Sequence, residues 1–392
     1  MSTERLEPMT GCGILGVLKC IAGMQNVLPM IHGPLSCSSG HRLAMLYANV
    51  EPLLPTTNVT DPDIVLGSLD RLREATDEAW KKYKPALLVI ILTCATSMTG
   101  EDYSIVAEEY EKKYGSMAIV IDGGALTGDE MDTPYELYEC LKNKLGLKEE
   151  NGDSITIEGL ARTDYGFDNE YPALCALISE ATGRKVIPGL FSGMDICDEE
   201  QLSEYSQALK IKAGLLWRLD KTATPAPFGI EGTRRFIKSV SKLNEESPKA
   251  RELYLNTKQK LEADIKKLKE KKIAVGIEGA AWQAYGIADF LKNELGCRVL
   301  LSVDSENQNL PWKEVCDEFY EDVGRFELVE LMKEFGAKLV FGSSNIQSDG
   351  KWNYCPFFQP VWRNVEPEGP LMGYDGAEKI VRLLLKLEGD KE

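Results

Sequence analysis

With 392 residues, 43% of them hydrophobic and 27% charged, the chain is long enough for two or three domains and an ample buried core. A formal net charge of −17 offers no basic stripe for nucleic acid; it suits either plain solubility or a partner with a basic face. Met1-Ser2-Thr3-Glu4 is no signal peptide and no apolar run approaches the ~20 residues of a membrane span, so the expected location is cytoplasmic, where thiols stay reduced.

Strand-like apolar runs alternate with helical patterns throughout. A first segment reads as helix Ile14–Met24, strand Val27–Ile31, strand Asp63–Leu66, helix Leu69–Tyr83 and strand Ala86–Thr93. Helix Tyr103–Lys113, opened by a capping-box pattern at Thr99-Gly100-Glu101-Asp102, follows. Strand Ala118–Ile121, ending in Asp122-Gly123-Gly124, and helix Tyr135–Leu145 close it before the polar linker Lys148–Asp153. A second segment has strand Ser154–Gly159, helix Tyr171–Thr182, strand Lys185–Ile187, helix Glu200–Lys210 and strand Ala213–Arg218. A loop with Pro225 and Pro227 leads to helix Thr233–Leu243 and a long charged connector, Ala250–Glu270. The third has strand Lys272–Gly276, helix Tyr285–Leu295, strand Arg298–Val303, helix Phe326–Phe335, strand Lys338–Phe341 ending at Gly342-Ser343-Ser344, and helix Gly376–Leu387. Strands spaced by helices imply parallel sheets of βαβ units. The expectation is α/β, with three doubly wound, Rossmann-like domains at residues 1–150, 151–270 and 271–392.

Ten cysteines are present and none forms a C-x-x-C pair, which disfavours a zinc ribbon, a thioredoxin-type couple and a bacterial ferredoxin. Three stand where helices begin: Cys12 in Gly11-Cys12-Gly13, Cys37 after His32-Gly33-Pro34, and Cys94 after the apolar run Ala86–Leu92. A helix N-terminus favours the thiolate, the form that binds metal. Cys37 and Cys94 also fall at the carboxyl ends of strands, where ligands sit in open α/β sheets. Three such thiols suit one soft-metal centre, above all an iron–sulfur cluster. Gly33 and Gly100 would let backbone close round it.

Other motifs carry less. Gly11-Cys12-Gly13-Ile14-Leu15-Gly16 matches G-x-G-x-x-G, but Ser2–Pro8 is no strand and the first acidic residue afterwards is Glu51, so a dinucleotide site is disfavoured. Gly11 and Gly13 instead allow backbone to approach a bulky ligand on Cys12. With only His32 and His41, a histidine-rich zinc site or a Ser-His-Asp triad is disfavoured. His32 reads as a turn-fixing hydrogen bonder more than as a ligand. His41, one turn after Cys37, could face the same pocket. Cys20, Cys140, Cys175 and Cys297 read as packing, Cys316 as helical, and Cys355 as a loop thiol. Cys197, at a helix start, could line a substrate cavity. No G-x-x-x-x-G-K-[ST] loop is present, so any ATP would be hydrolysed by another chain.

The Gly-Cys-Gly, His-Gly-Pro-Leu-Ser-Cys and Thr-Cys elements, the last followed by Gly100-Glu101-Asp102, together resemble the nitrogenase component 1 family. Asp63-Ile64-Val65-Leu66-Gly67-Ser68, Ser192-Gly193, Pro227-Phe228-Gly229-Ile230-Glu231-Gly232-Thr233 and Gly373-Tyr374-Asp375-Gly376-Ala377 extend the resemblance over essentially the whole chain. It implies three Rossmann-like domains round a central cleft, with Cys12, Cys37 and Cys94 on the family's cluster-ligating positions and Gly11, Gly13, His32, Gly33 and Gly100 about them. The implied cofactor is a [4Fe–4S] or P-cluster-like [8Fe–7S] cluster at a subunit interface. The implied partners are an ATP-dependent iron–sulfur reductase and a second component 1-like subunit, as homodimer or heterotetramer, handled anaerobically. The nitrogenase cofactor cysteine would align near Trp217 and no histidine follows His41, so a dinitrogen-reducing subunit is disfavoured. The resemblance leaves four roles open: a nitrogenase-like reductase subunit, a nickel-sirohydrochlorin a,c-diamide reductive cyclase of F430 synthesis, a methylthio-alkane reductase-type subunit, and a cofactor-assembly scaffold without turnover.

Overall fold

A computed structural model describes residues 11–47, 50–126, 128, 130, 132–148, 152–214, 224, 226–241, 246–303, 310–321, 323–343, 346, 352–357 and 369–389. Trp217, Pro225, Ser344 and most of the expected strand Ala213–Arg218 lie outside them. The chain forms two compact units, one of Thr10–Asp164 with Ile187–Lys210, the other of Tyr165–Val186 with Ile211–Glu392. None of the described helices is long and apolar enough to cross a membrane.

The first unit begins with α1 (Gly13–Ile21), β1 (Val27–His32) and α2 (Leu35–Tyr47). Then come α3 (Asp61–Leu66), α4 (Leu69–Tyr83), β2 (Leu87–Leu92), α5 (Cys94–Ser97), α6 (Ser104–Tyr114), β3 (Met117–Asp122) and α7 (Thr133–Lys144). Strands β1, β2 and β3 pair in parallel, in that order, with Val27 opposite Leu87 and Leu87 opposite Met117. The middle strand is Leu-Leu-Val-Ile-Ile-Leu, and Leu87 to Ile91 are wholly buried. An unbroken apolar run is what a parallel strand covered on both faces requires. Met30, Leu72, Leu88, Ile90, Val106 and Tyr110 form the core on one face of this sheet. Further on, β4 (Ile155–Glu158) lies between β5 (Val186–Ile187) and β6 (Leu209–Lys212), and α9 (Glu199–Gln207) precedes β6.

The second unit contains α8 (Phe167–Thr182), α10 (Gly229–Ser241), α11 (Pro248–Lys271), β7 (Ala274–Gly279) and α12 (Ala281–Asp289), which runs into a π turn at Phe290–Glu294. It continues with β8 (Arg298–Val303), α13 (Trp312–Val315), β9 (Glu318–Glu321), α14 (Arg325–Phe335), β10 (Leu339–Gly342), β11 (Asn353–Pro356) and α15 (Gly373–Gly389). Its sheet has the order β11-β10-β7-β8-β9, parallel throughout. Buried Glu170 of α8 accepts the backbone N–H groups of Leu371 and Met372 at 2.6 and 3.0 Å, anchoring the approach to α15.

The alternation of strands and helices matches the sequence reading, with local corrections. Asp63–Leu66 is helix, not strand: Thr60 and Asp63 form a capping box, Pro62 sits in the first turn, and Val65 and Leu66 are exposed. The capping box near Cys94 is made by Thr93 and Thr96, not at Thr99–Asp102. Glu101 instead reaches back to the N–H and hydroxyl of Ser68. The helix expected over Glu200–Lys210 ends at Gln207, and the alternating Leu209-Lys210-Ile211-Lys212 that follows is a strand. Cys355 lies in strand β11 rather than a loop, and Cys316 is the extended residue that ends α13.

Candidate metal centre

The carboxyl ends of β1, β2 and β3 and the start of α1 place the three cysteines. Cys12 is the extended N-cap of α1. Cys37 lies in the first turn of α2, directly after β1. Cys94 is the first residue of α5, directly after β2. All three are partly buried. Burial raises the Cys37 thiol, and the neighbouring Cys12 and Cys94 sulfurs raise it further, so both are within electrostatic reach of Cys37. The Cys12 thiol is also raised by burial, against the lowering by the N–H groups of Ile14 and Leu15. Desolvation thus outweighs the helix-end effect in the metal-free chain.

The turn after β3 joins two of these thiols. Asp122 Oδ1 accepts from the Ser97 hydroxyl at 2.6 Å and from Gly124 N–H at 2.9 Å. That turn directs the Ala125 N–H at Cys94 Sγ, 3.1 Å away. On its other side Gly123 O accepts the Ile14 N–H at 3.0 Å, beside Cys12. A Cβ on Gly13 would lie 2.4 Å from the Thr133 methyl, so that glycine admits the chain's own β3–α7 segment. A Cβ on Gly33 would fall 2.3 Å from the Thr93 side chain, so Gly33 brings the β1 and β2 ends together. Gly100 has φ +71° and nothing close to it, which is the signature of a turn.

His41 belongs to the group. Its Nδ1 donates to Cys37 O at 2.6 Å, and its Nε2 stands 2.9 Å from Cys12 Sγ. The i, i+4 spacing of Cys37 and His41 puts both on one helical face. His32 does not face the thiols; its nitrogens are taken by the hydroxyls of Thr57 at 3.0 Å and Ser68 at 3.1 Å. Cys197 is exposed, and Cys20 is buried with its thiol pushed up by desolvation. Two participants were missed by the sequence reading. Asp122 was seen only as a strand end. Glu130, which contacts Gly11 and Lys19, carries no motif. Among the described residues, no group of three or more His, Cys, Asp or Glu side chains closes round a point where one metal ion could sit.

Known proteins resemble this chain in sequence and fold. A nitrogenase iron-molybdenum cofactor biosynthesis protein NifE from Mesorhizobium japonicum is 21% identical over 404 residues, covering 95% of this chain and 80% of that protein. Nitrogenase molybdenum-iron protein alpha chains align over shorter stretches. The one from Methanothermobacter thermautotrophicus is 24% identical over 36% of this chain, and the one from Methanosarcina barkeri 30% identical over 28%. The matched stretches span about a third or less of those alpha chains, 34% and 22%. A solved structure of nitrogenase Cp1 at pH 6.5 superposes with a TM-score of 0.80 at 16% identity, over 100% of this chain and 94% of that one, and so shares the fold. The family model for Nitrogenase component 1 type Oxidoreductase matches residues 12–188 and 201–387, so the chain belongs to that family.

Proposed function

We propose that this chain is a nitrogenase-like oxidoreductase subunit that holds an iron–sulfur cluster on Cys12, Cys37 and Cys94. The observation that supports the reading is the placement of three partly buried cysteines at helix starts, Cys37 directly after β1, Cys94 directly after β2 and Cys12 at the start of α1, with Cys12 and Cys94 both near enough to Cys37 to raise its thiol. When bound, such a cluster would store and pass single electrons at low potential. The chain's own residues bind it through the three thiolates, and the Ala125 N–H donates to the Cys94 sulfur. Three thiolates leave a four-iron cluster one ligand short, so a second component 1-like subunit, identical or paralogous, supplies the rest. Membership of the nitrogenase component 1 type family supports a separate ATP-hydrolysing iron–sulfur reductase as the electron donor, passing electrons to a substrate or cofactor bound by the chain.

The test is anaerobic iron and sulfide quantification with Mössbauer spectroscopy on the wild type and Cys94→Ala. Iron and sulfide bound by the wild type and lost by the variant are expected. Equal iron in both would sink the reading. A second reading, a cofactor-assembly scaffold, draws support from the cofactor-biosynthesis relative that aligns over 95% of the chain. Turnover that needs ATP and a reductase would favour the enzyme; a loaded cluster without such turnover would favour the scaffold.

A further inference from the structure

Gly11 and Glu130, far apart in sequence, exchange two hydrogen bonds. The Gly11 N–H donates to Glu130 Oε2 at 2.7 Å, and the Glu130 N–H donates to Gly11 O at 3.0 Å. On the other side of Cys12, the Thr133 hydroxyl donates to Gly13 O at 2.7 Å. The backbone that carries the Cys12 thiol is therefore gripped before and after that residue by one segment, the same one whose Ala125 N–H reaches Cys94. The second oxygen of Glu130 is paired with the Lys19 ammonium, which α1 projects from two turns further along.

The placement of this ion pair has a cost. Glu130 is only 8% exposed, and a buried carboxylate surrenders hydration that a single partner seldom restores. A buried pair of this kind commonly gives no more stability than apolar side chains of the same volume would. What it does give is a fixed geometry. The Glu130 charge also acts on both Cys12 and His41.

We propose that Glu130, held in place by Lys19, is a positioning residue for Cys12. It fixes the Gly11–Gly13 backbone so that the sulfur is presented to metal, and the two opposite charges of the pair set the electrostatic surroundings of that ligand. The proposal rests on the thiol-held cluster described above.

Three full-length variants separate reach from charge. Glu130→Asp keeps the charge and shortens the reach. Glu130→Gln keeps the reach and removes the charge. Lys19→Met leaves the carboxylate uncompensated. After anaerobic loading with iron and sulfide, Glu130→Asp should lose most of its iron, while Glu130→Gln should retain it. The cluster midpoint potential should move up in Glu130→Gln, because reduction adds negative charge, and down in Lys19→Met. A merely structural pair would not give shifts of opposite sign. In the metal-free chain, iodoacetamide should alkylate Cys12 several-fold faster in Glu130→Asp than in wild type, with exposed Cys197 as the internal reference. Wild-type iron content and Cys12 alkylation in Glu130→Asp would overturn the positioning role. Potentials that move the same way in the two charge variants would overturn the electrostatic one. A wild type that binds no iron, together with a faster Cys12 in Glu130→Asp, would sink the cluster and leave the positioning intact.

Discussion

The thiol of Cys12 and the imidazole of His41 meet at 2.9 Å, although one caps α1 and the other lies in α2. A backbone carbonyl can only accept, so the Nδ1 bonded to Cys37 O carries the ring proton and Nε2 is turned to the sulfur. One side chain thereby ties the backbone at Cys37 to the side chain of Cys12. Residues that orient metal ligands in this way typically contribute 10–100-fold to metal affinity. His41→Phe should therefore weaken iron retention by about 10-fold or more, read by competition with a chelator, while the far-UV circular dichroism stays that of wild type. Iron held as tightly as in wild type would remove His41 from the site.

The third glycine of Gly11-Cys12-Gly13-Ile14-Leu15-Gly16 has a packing role that needs no nucleotide. A Cβ on Gly16 would lie 2.3 Å from Glu130 O and 2.6 Å from Thr133 Oγ1. Neither the carbonyl nor the buried threonine can retreat without breaking the grip on the Cys12 loop. Gly16→Ala should destabilise the chain by about 1–3 kcal/mol, the usual range for an overpacked core, seen as a lower urea midpoint. An unchanged midpoint would show that α1 is free to shift.

Much of this architecture could be read from sequence because burial leaves a pattern. The uninterrupted Leu87–Leu92 run marked a central parallel strand, and Cys37 and Cys94 stood out because each follows an apolar strand. Helix α3 was misread because Ile64-Val65-Leu66 has strand-like composition, while its Thr60–Asp63 capping box is an equally local signal that dominates in the fold. Strand β11 escaped notice because it is a four-residue edge strand with only partly buried side chains. Asp122 and Glu130 were illegible for another reason. Each acts through hydrogen bonds to partners distant in sequence, and such bonds leave no period and no motif.

Glu170 should make the second unit more stable as the solution is acidified from neutral. Burial pushes its carboxyl up to about 7, against the lowering by the Leu371 and Met372 N–H groups. In the unfolded chain a glutamate titrates near 4.3. Between these values the folded state binds a proton that the unfolded state lacks, so this group adds stability as pH falls from 7 towards 4.5 and withdraws it as pH rises. Glu170→Gln, which cannot titrate, should flatten that part of the stability profile. A variant whose profile between pH 5 and 8 parallels wild type would show that Glu170 is ionised in the fold.

His32 acts in the opposite sense, and its hydrogen bonds explain why. The Ser68 hydroxyl donates to Glu101 Oε2 at 2.8 Å, so it accepts from His32 Nε2. Thr57 Oγ1 accepts the Gly33 N–H at 3.0 Å and is left to donate to Nδ1. The ring is thus built into the fold as a neutral tautomer, with one nitrogen donating and the other accepting. Protonating Nδ1 would make the Thr57 hydroxyl turn its own proton away and would put a charge in a site with no solvent exposure. Burial lowers this imidazole to about 4, and nearby Glu101 and Asp63 only partly counter it. An unfolded histidine titrates near 6.5, so between those values the unfolded chain binds the extra proton. Stability from this group is therefore full above pH 6.5 and is lost as pH falls towards 4, by about 3 kcal/mol at most. Urea midpoints of the metal-free chain from pH 7.5 to 4.5 should fall less steeply for His32→Gln than for wild type. The variant should also start from a lower midpoint at pH 7.5, because an amide cannot reproduce both bonds at the same reach. Parallel profiles in the two proteins would mean that the ring takes up its proton in the folded state as readily as in the unfolded chain, so that burial does not hold it neutral.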